Sequence, residues 1–224
     1  MGVPSDYTAD PGRYRLGMAV AGAHATASLY DLVAAVLTGL AVRRVLDVGC
    51  ADGVLRAALP APWVVGLDRA APLLRAHPSP VVQADATRLP FRPAAFDAVT
   101  ALNVLYHLPD PLPALREARR VLRSGGHVVV SAIARDDSPE LAAYWVRPPT
   151  PFDAEDAPAL VGRVFDAVAV HPWDAPLVTL PDAGAIRDYL VGRQAPAAAA
   201  DRAAAELPVP LAVTKRGVLV VGRP

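Results

Sequence analysis

The chain predicts an α/β protein built on a doubly wound, largely parallel sheet. Three observations carry that prediction. Short apolar runs alternate with helical patterns over residues 44–133; the first run ends in Asp47-Val48 and a turn of small residues; and a second acid, Asp68, ends the next run nineteen residues after Gly49. Strand–helix alternation of this kind implies parallel strands joined by right-handed crossovers. In such sheets ligands bind beyond the carboxyl ends of the strands.

The elements follow in order. Residues 16–42 are apolar but interrupted by His24, Tyr30 and Asp31, and read as one or two helices. Arg44–Val48 reads as the first strand, Gly49–Gly53 as a tight turn, and Val54–Leu59 as a short helix. Trp63–Leu67 is a second strand, Leu73–Ala76 lies in the next helix, and Val81–Gln83 is a brief third strand just before Asp85. Ala98–Leu102 forms a fourth, preceded by Phe96-Asp97. Asp110-Pro111 then opens a clear helix, with a capping acid, proline at the first helical position, and Leu112, Leu115, Arg119 and Leu122 at helical spacing. Ser124-Gly125-Gly126 should stop it, and His127–Ala132 should be a fifth strand. Farther on, Ala183–Arg193 and Ala197–Glu206 read as helices and Gly217–Gly222 as the final strand.

The acids identify a ligand class. A carboxylate at the tip of the second strand, Asp68, can accept hydrogen bonds from both hydroxyls of a ribose. The turn lacks the middle glycine of the dinucleotide fingerprint, reading Gly49-Cys50-Ala51-Asp52-Gly53, and Asp47 would repel a pyrophosphate. Loop acids instead suit a nucleoside whose end carries an ammonium and a sulfonium.

These residues resemble motif I of the class I S-adenosylmethionine-dependent methyltransferases, D-x-G-x-G-x-G, with Ala51 replacing the middle glycine. With alanine there, the backbone is expected to avoid strongly positive φ. Three further stretches match the same family in order. Gln83–Phe91 resembles its adenine-binding turn, Phe96–Asp110 its fourth strand and active-site lip, and Val121–His127 its L-R-P-G-G stretch, with Ser124 for proline. The resemblance implies a Rossmann-like seven-stranded sheet, mostly parallel, whose last strand runs antiparallel at the sheet's far end. It implies one domain over residues 1–224: an N-terminal helical lid (1–43), a cofactor core (44–134), and substrate-side helices with the last strands (135–224). S-adenosylmethionine is the implied cofactor. Asp47, Gly49 and Gly53 would hold its aminocarboxypropyl end, Asp68 the ribose, and Asp85 with Ala86 the adenine, with Cys50, Ala51 and Arg69 also among the cofactor-binding residues. Asn103 would offer its backbone carbonyl to the ammonium, Tyr14 would reach the carboxylate, and His107 would act as the base or order the lip.

Each position also has a plainer reading. Asp47 and Asp85 can cap local turns, Cys50 can be a small apolar loop residue, and His24 and His171 can be structural. Tyr144 and Trp145, in the proline-rich segment after the fifth strand, can line a pocket or fill core.

Composition narrows the class. Twenty-two basic residues balance 22 acidic ones, with no basic run, which disfavours nucleic acid as the main partner. All basic residues but Lys215 are arginine, a bias of GC-rich bacterial genomes. One cysteine forms no internal disulfide, no basic-then-apolar signal is evident, and no metal-ligand spacing appears, so a cytoplasmic chain without metal or membrane is expected. The expected partner is a small-molecule acceptor, methylated on O, N or C. A homodimer is allowed but not specified. Two rivals stay open: a protein that binds S-adenosylmethionine without methylating, and an NAD-dependent oxidoreductase.

Overall fold

The computed structural model describes residues 7, 10–59, 63–78 and 80–224; the start of the expected N-terminal lid, residues 1–6, 8 and 9, lies outside them. In chain order the elements are α1 (Pro11–His24), α2 (Leu29–Gly39), β1 (Arg44–Val48), α3 (Val54–Ala58), β2 (Trp63–Asp68), α4 (Ala71–Leu74), β3 (Val81–Gln83) and β4 (Phe96–Leu102). There follow α5 (Leu112–Val121), β5 (Leu122–Ile133), α6 (Ala157–Gly162), β6 (Ala167–Leu180), α7 (Ala183–Gly192), α8 (Ala197–Glu206) and β7 (Leu211–Arg223).

Among the described residues the strands form one seven-stranded sheet, ordered β3-β2-β1-β4-β5-β7-β6. β3, β2, β1, β4 and β5 are parallel, and β7 runs antiparallel to both β5 and β6. The chain winds outward from β1 to β3 and then crosses to β4 on the other side of β1. The strand order therefore switches between β1 and β4, where a crevice opens at the carboxyl ends.

Helix starts follow from local chemistry. The Asp10 carboxylate accepts from the Arg13 N–H at 3.0 Å with proline next in line, Ser28 caps α2 through Tyr30 and Asp31, and Asp110 accepts from the Leu112 N–H at 2.9 Å. Strand residues then alternate between two buried faces. Val45, Val64, Ala98 and Val129 meet Val33 and Leu37 of α2 and Leu55 of α3, whereas Leu46, Val65, Val99 and Val128 meet Leu115, Ala118 and Val121 of α5. A third cluster, with Ile186, Tyr189 and Leu190 of α7 at its centre, joins α7 and α8 to β6, β7 and Val20 of α1. Gly17 and Gly192 let α1 and α7 cross closely, since a Cβ on Gly192 would lie 3.1 Å from the Gly17 Cα.

Two readings change. The final strand does not lie at the sheet's far end: β7 is longer than Gly217–Gly222 and is inserted between β5 and β6, leaving β6 as the edge. β6 takes in the apolar stretch around His171 and Trp173, which the sequence places on a strand; its first half is exposed, His171 included, and Pro172 and Pro176 fall within it. The helix before β5 ends at Val121, one residue short of Leu122. Leu122 turns extended and pairs with Phe96, and Ser124-Gly125-Gly126 forms an irregularity within β5 before pairing resumes at Ala98 and His127. Of the two readings open for Tyr144 and Trp145, packing is the one seen, since both lie half-buried against the α7 cluster.

Candidate active site

The turn after β1 is folded by its own backbone. The Gly49 and Cys50 N–H groups both donate to the Leu67 carbonyl, at 2.7 and 3.1 Å, tying the turn to the end of β2. Gly49 has φ +75°, and a Cβ there would lie 2.5 Å from Val104, so glycine lets the turn press against the segment after β4. Ala51 departs from expectation. It does not avoid positive φ but sits at +47°, held by its N–H donating to the Asp68 carboxylate at 3.0 Å. The left-handed region costs an alanine about 1–2 kcal/mol, partly offset on substitution by the greater unfolded-state freedom of glycine. Ala51→Gly should therefore raise stability by about 0.5–1 kcal/mol, read as a higher midpoint in urea unfolding; a lower midpoint would contradict the strain.

Three carboxylates, Asp47, Asp52 and Asp68, lie in or beside this turn, and a fourth, Asp85, follows β3. Asp47 is buried in β1, opposite Thr100 of β4 in register, and accepts from the Thr100 hydroxyl at 2.7 Å. Burial pushes its carboxyl up to about 7, the nearby Asp68 charge adds to that, and the Thr100 bond opposes it. Asp68 accepts the Ala51 N–H on one oxygen and the Ala70 N–H, at 2.8 Å, on the other. Each oxygen keeps a further lone pair, the capacity a vicinal diol needs. Asp52 accepts from the Tyr14 hydroxyl at 2.7 Å. Asp85 is exposed and accepts both the N–H and hydroxyl of Thr87 at 2.8 Å on a single oxygen, which holds its carboxyl below the usual range. Its turn-capping and ligand-binding readings are compatible, because the second oxygen has no such bond. Ala86 follows, packed against the sheet core.

Among the described residues the donors to Asp47, Asp52 and Asp68 are neutral: a threonine hydroxyl, a phenol and two amides. The crevice therefore carries negative charge that a cationic ligand would offset. That charge also reaches Cys50, whose buried thiol is pushed up by burial first and by Asp47 and Asp68 next, leaving it a protonated, apolar loop residue. Arg69 contributes its carbonyl to the Gln83 amide at 3.2 Å.

Aromatic groups cover the crevice. Tyr14 of α1 packs with Tyr7 on Ala51, Ala70 and Leu73, ring centroids 5.1 Å apart. Tyr7 meets His107 edge-on at 5.6 Å, and His107 lies 4.4 Å from Tyr106 in the lip after β4. Tyr30, in the first turn of α2, feels the charges of Asp47 and Asp52, and burial above all keeps its phenol protonated. Asn103 takes φ +50°. Its N–H donates to the Ser131 hydroxyl at 2.9 Å and its side-chain oxygen accepts from the same hydroxyl at 3.1 Å, and its backbone carbonyl takes no part in these bonds. His24 sits at the end of α1, beside the bridge from Ala25 to Val178 of β6.

Sequence reasoning missed Thr100, Ser131, Asp52 and the set of Tyr7, Tyr30 and Tyr106. Thr100 and Ser131 carried a usable signal, as hydroxyls within otherwise apolar central strands. The tyrosines carried none, since only the fold brings 7, 30 and 106 together. No group of three metal-ligating side chains occurs among the described residues.

Comparison with known proteins bears on this geometry. Residues 46–130 match a family model described as a methyltransferase domain. The chain is 35% identical over 125 residues to the ubiquinone biosynthesis O-methyltransferase of Alkalilimnicola ehrlichii, covering 50% of this chain and 51% of that protein. The protein of the same name from Paracidovorax citrulli is 34% identical over 113 residues, covering 45% and 48%. The chain thus spans about half the length of the curated relatives it matches. Among solved structures, a SAM-dependent methyltransferase of Thermotoga maritima has a TM-score of 0.64 at 18% identity, covering 96% of this chain and 97% of that one. The (4+2)-cyclase SpnF has a TM-score of 0.62, also at 18% identity, covering 100% and 99%. At that identity the likeness is one of fold.

Proposed function

We propose that this chain, whose residues 46–130 match a family described as a methyltransferase domain, transfers a methyl group from S-adenosylmethionine to a small organic acceptor. The observation that supports it most is the negatively charged crevice at the β1–β4 switch point, where among the described residues Asp47, Asp52 and Asp68 accept from a threonine hydroxyl, a phenol and two amides. A ligand with an ammonium and a sulfonium matches that charge, and its ribose diol matches the remaining lone pairs of Asp68. The named protein relatives are O-methyltransferases, which favours a hydroxyl as the accepting group.

When bound, S-adenosylmethionine supplies a methyl whose C–S bond breaks as the acceptor's oxygen bonds to carbon, leaving a thioether and releasing the hydroxyl proton. The chain's own work is placement and proton removal. In the proposed arrangement Gly49 to Gly53 and Asp47 hold the amino-acid end, Asp68 and Arg69 the ribose, Asp85 and Ala86 the adenine, and the Asn103 carbonyl the ammonium. Tyr14 lies over the turn from the helical lid of residues 1–43. Residues 135–224 supply the acceptor side of the same domain. Aligning nucleophile and methyl provides much of the acceleration, and excluding water beneath the aromatic cover strengthens the field of the carboxylates.

His107 is the proposed base, because it stands in the lip between Tyr7 and Tyr106. His107→Gln should lower kcat about a hundredfold or more, the usual weight of a general base, while S-adenosylmethionine affinity stays unchanged. Measured by single-turnover methyl transfer and calorimetry, an unchanged kcat would assign His107 to lip packing alone. No described helix is long and apolar enough to cross a membrane, in keeping with an acceptor met in water.

A further inference from the structure

We propose that Thr100 is a positioning residue for the cofactor, its hydroxyl holding the Asp47 carboxylate in the charged form that receives an ammonium. This rests on the methyl-transfer reading and adds to it a residue that acts through Asp47.

Asp47 lies in β1 between β2 and β4 and is 3% exposed. A carboxylate so enclosed is costly to charge unless a donor reaches it. Among the described residues its hydrogen-bond donor is the Thr100 hydroxyl, at 2.7 Å from Oδ1, while Oδ2 takes no such bond. Register aims the pair: Thr100 stands opposite Asp47 in the β1–β4 ladder, so both side chains leave the same face of the sheet. Thr100 is fully buried, and its neighbours Ala98, Val99, Ala101 and Leu102 are apolar, so packing alone would be served by valine.

The hydroxyl has one proton to give. Its other acceptor, the Leu46 carbonyl, is farther off at 3.4 Å. A bond to a charged oxygen is about twice as strong as one between neutral groups, and it is lost once Asp47 takes up a proton. Thr100 therefore favours the charged carboxylate, against burial and the Asp68 charge, which favour the neutral acid. The other groups around Asp47 do not replace it. Asp68 at the end of β2 and Asp52 in the turn are acids themselves. Burial keeps the Cys50 thiol and the Tyr30 phenol of α2 protonated, and Tyr14 of α1 gives its hydroxyl to Asp52.

The test is the affinity for S-adenosylhomocysteine, the demethylated product, measured by calorimetry from pH 6 to pH 9. It compares the whole protein with Thr100→Val, which keeps the branched shape and loses the hydroxyl. One hydrogen bond to a charged group moves a protonation midpoint by about one pH unit or more. The variant should bind about tenfold more weakly at pH 6 and about equally at pH 9, where Asp47 is charged in both proteins. The ligand's own ammonium titrates alike in both titrations and cancels in the ratio. Thr100→Ser restores the hydroxyl and should follow the unaltered protein throughout. A ratio constant with pH would assign Thr100 to packing alone, and equal affinity at pH 6 would remove it from cofactor binding; either overturns the proposal. So would a Thr100→Ser protein that behaves like Thr100→Val. If Thr100→Val does not fold, Thr100→Ser against Thr100→Ala reads the same ratio, since that pair also differs by the hydroxyl alone. Failure of S-adenosylhomocysteine to bind the unaltered protein at any pH would overturn the methyl-transfer reading, whereas binding with a constant ratio overturns only the role of Thr100.

Discussion

Asp68→Ala should lower the affinity for S-adenosylmethionine by about 10- to 100-fold, equivalent to one or two charge-assisted hydrogen bonds to a ribose. The loss has two sources. The diol would lose its acceptor, and the Ala51 and Ala70 N–H groups would lose the oxygens that shape the turn. Asp68→Asn separates them, since an amide oxygen can retain one of the two N–H bonds while the charge is gone; its affinity should fall between the two. Calorimetric titration of both variants, with thermal unfolding to show they are folded, reads the effect. Unchanged affinity in a folded Asp68→Ala protein would place the ribose elsewhere.

Asp47→Asn should do two opposite things. Burial raises the Asp47 carboxyl to about 7 in the folded protein, against about 3.9 in an unfolded chain. A raised folded-state value means the folded protein holds the proton more tightly. The stability that protonation provides is present in full below about pH 4 and is lost as pH rises toward and through 7. Three units correspond to about 4 kcal/mol as an upper bound. Asparagine keeps an acceptor for the Thr100 hydroxyl and carries no charge to bury. The variant should therefore exceed the unaltered protein by about 2–4 kcal/mol at pH 8, with the gap closing toward pH 4. Its affinity for S-adenosylmethionine should fall, because the charge that is costly in the empty crevice is the charge that receives the cation. Urea unfolding at pH 5 and pH 8 measures the first effect and calorimetry the second. Equal stability at pH 8 would mean Asp47 is not desolvated as described; higher stability with undiminished affinity would remove it from the cofactor site.

These expectations show what a sequence discloses and what it conceals. β1 and β2 were legible to within a residue because their apolar runs are continuous, as strands buried on both faces must be. The acids Asp47, Asp68 and Asp85 stood out because each lies at or just beyond the end of such a run. Ala51 shows the limit: a residue's identity says which φ is comfortable, while the Asp68 carboxylate and the Leu67 carbonyl decide which φ it adopts. β6 was legible only as a strand around His171 and Trp173, its exposure and prolines obscuring its length and its place at the edge, which was assigned to β7.

The same fold in the Thermotoga maritima methyltransferase and in the cyclase SpnF is a reminder that a sheet positions groups without dictating their chemistry. The central claim concerns the crevice at the β1–β4 switch and the cation-bearing nucleoside it is built to receive. Calorimetric titration of the purified protein with S-adenosylmethionine, and then with S-adenosylhomocysteine, tests it most directly. The expected result is saturable binding of both at micromolar concentration, about 7–9 kcal/mol, with the product bound at least as tightly. Absence of binding by either compound to the folded protein would contradict the account.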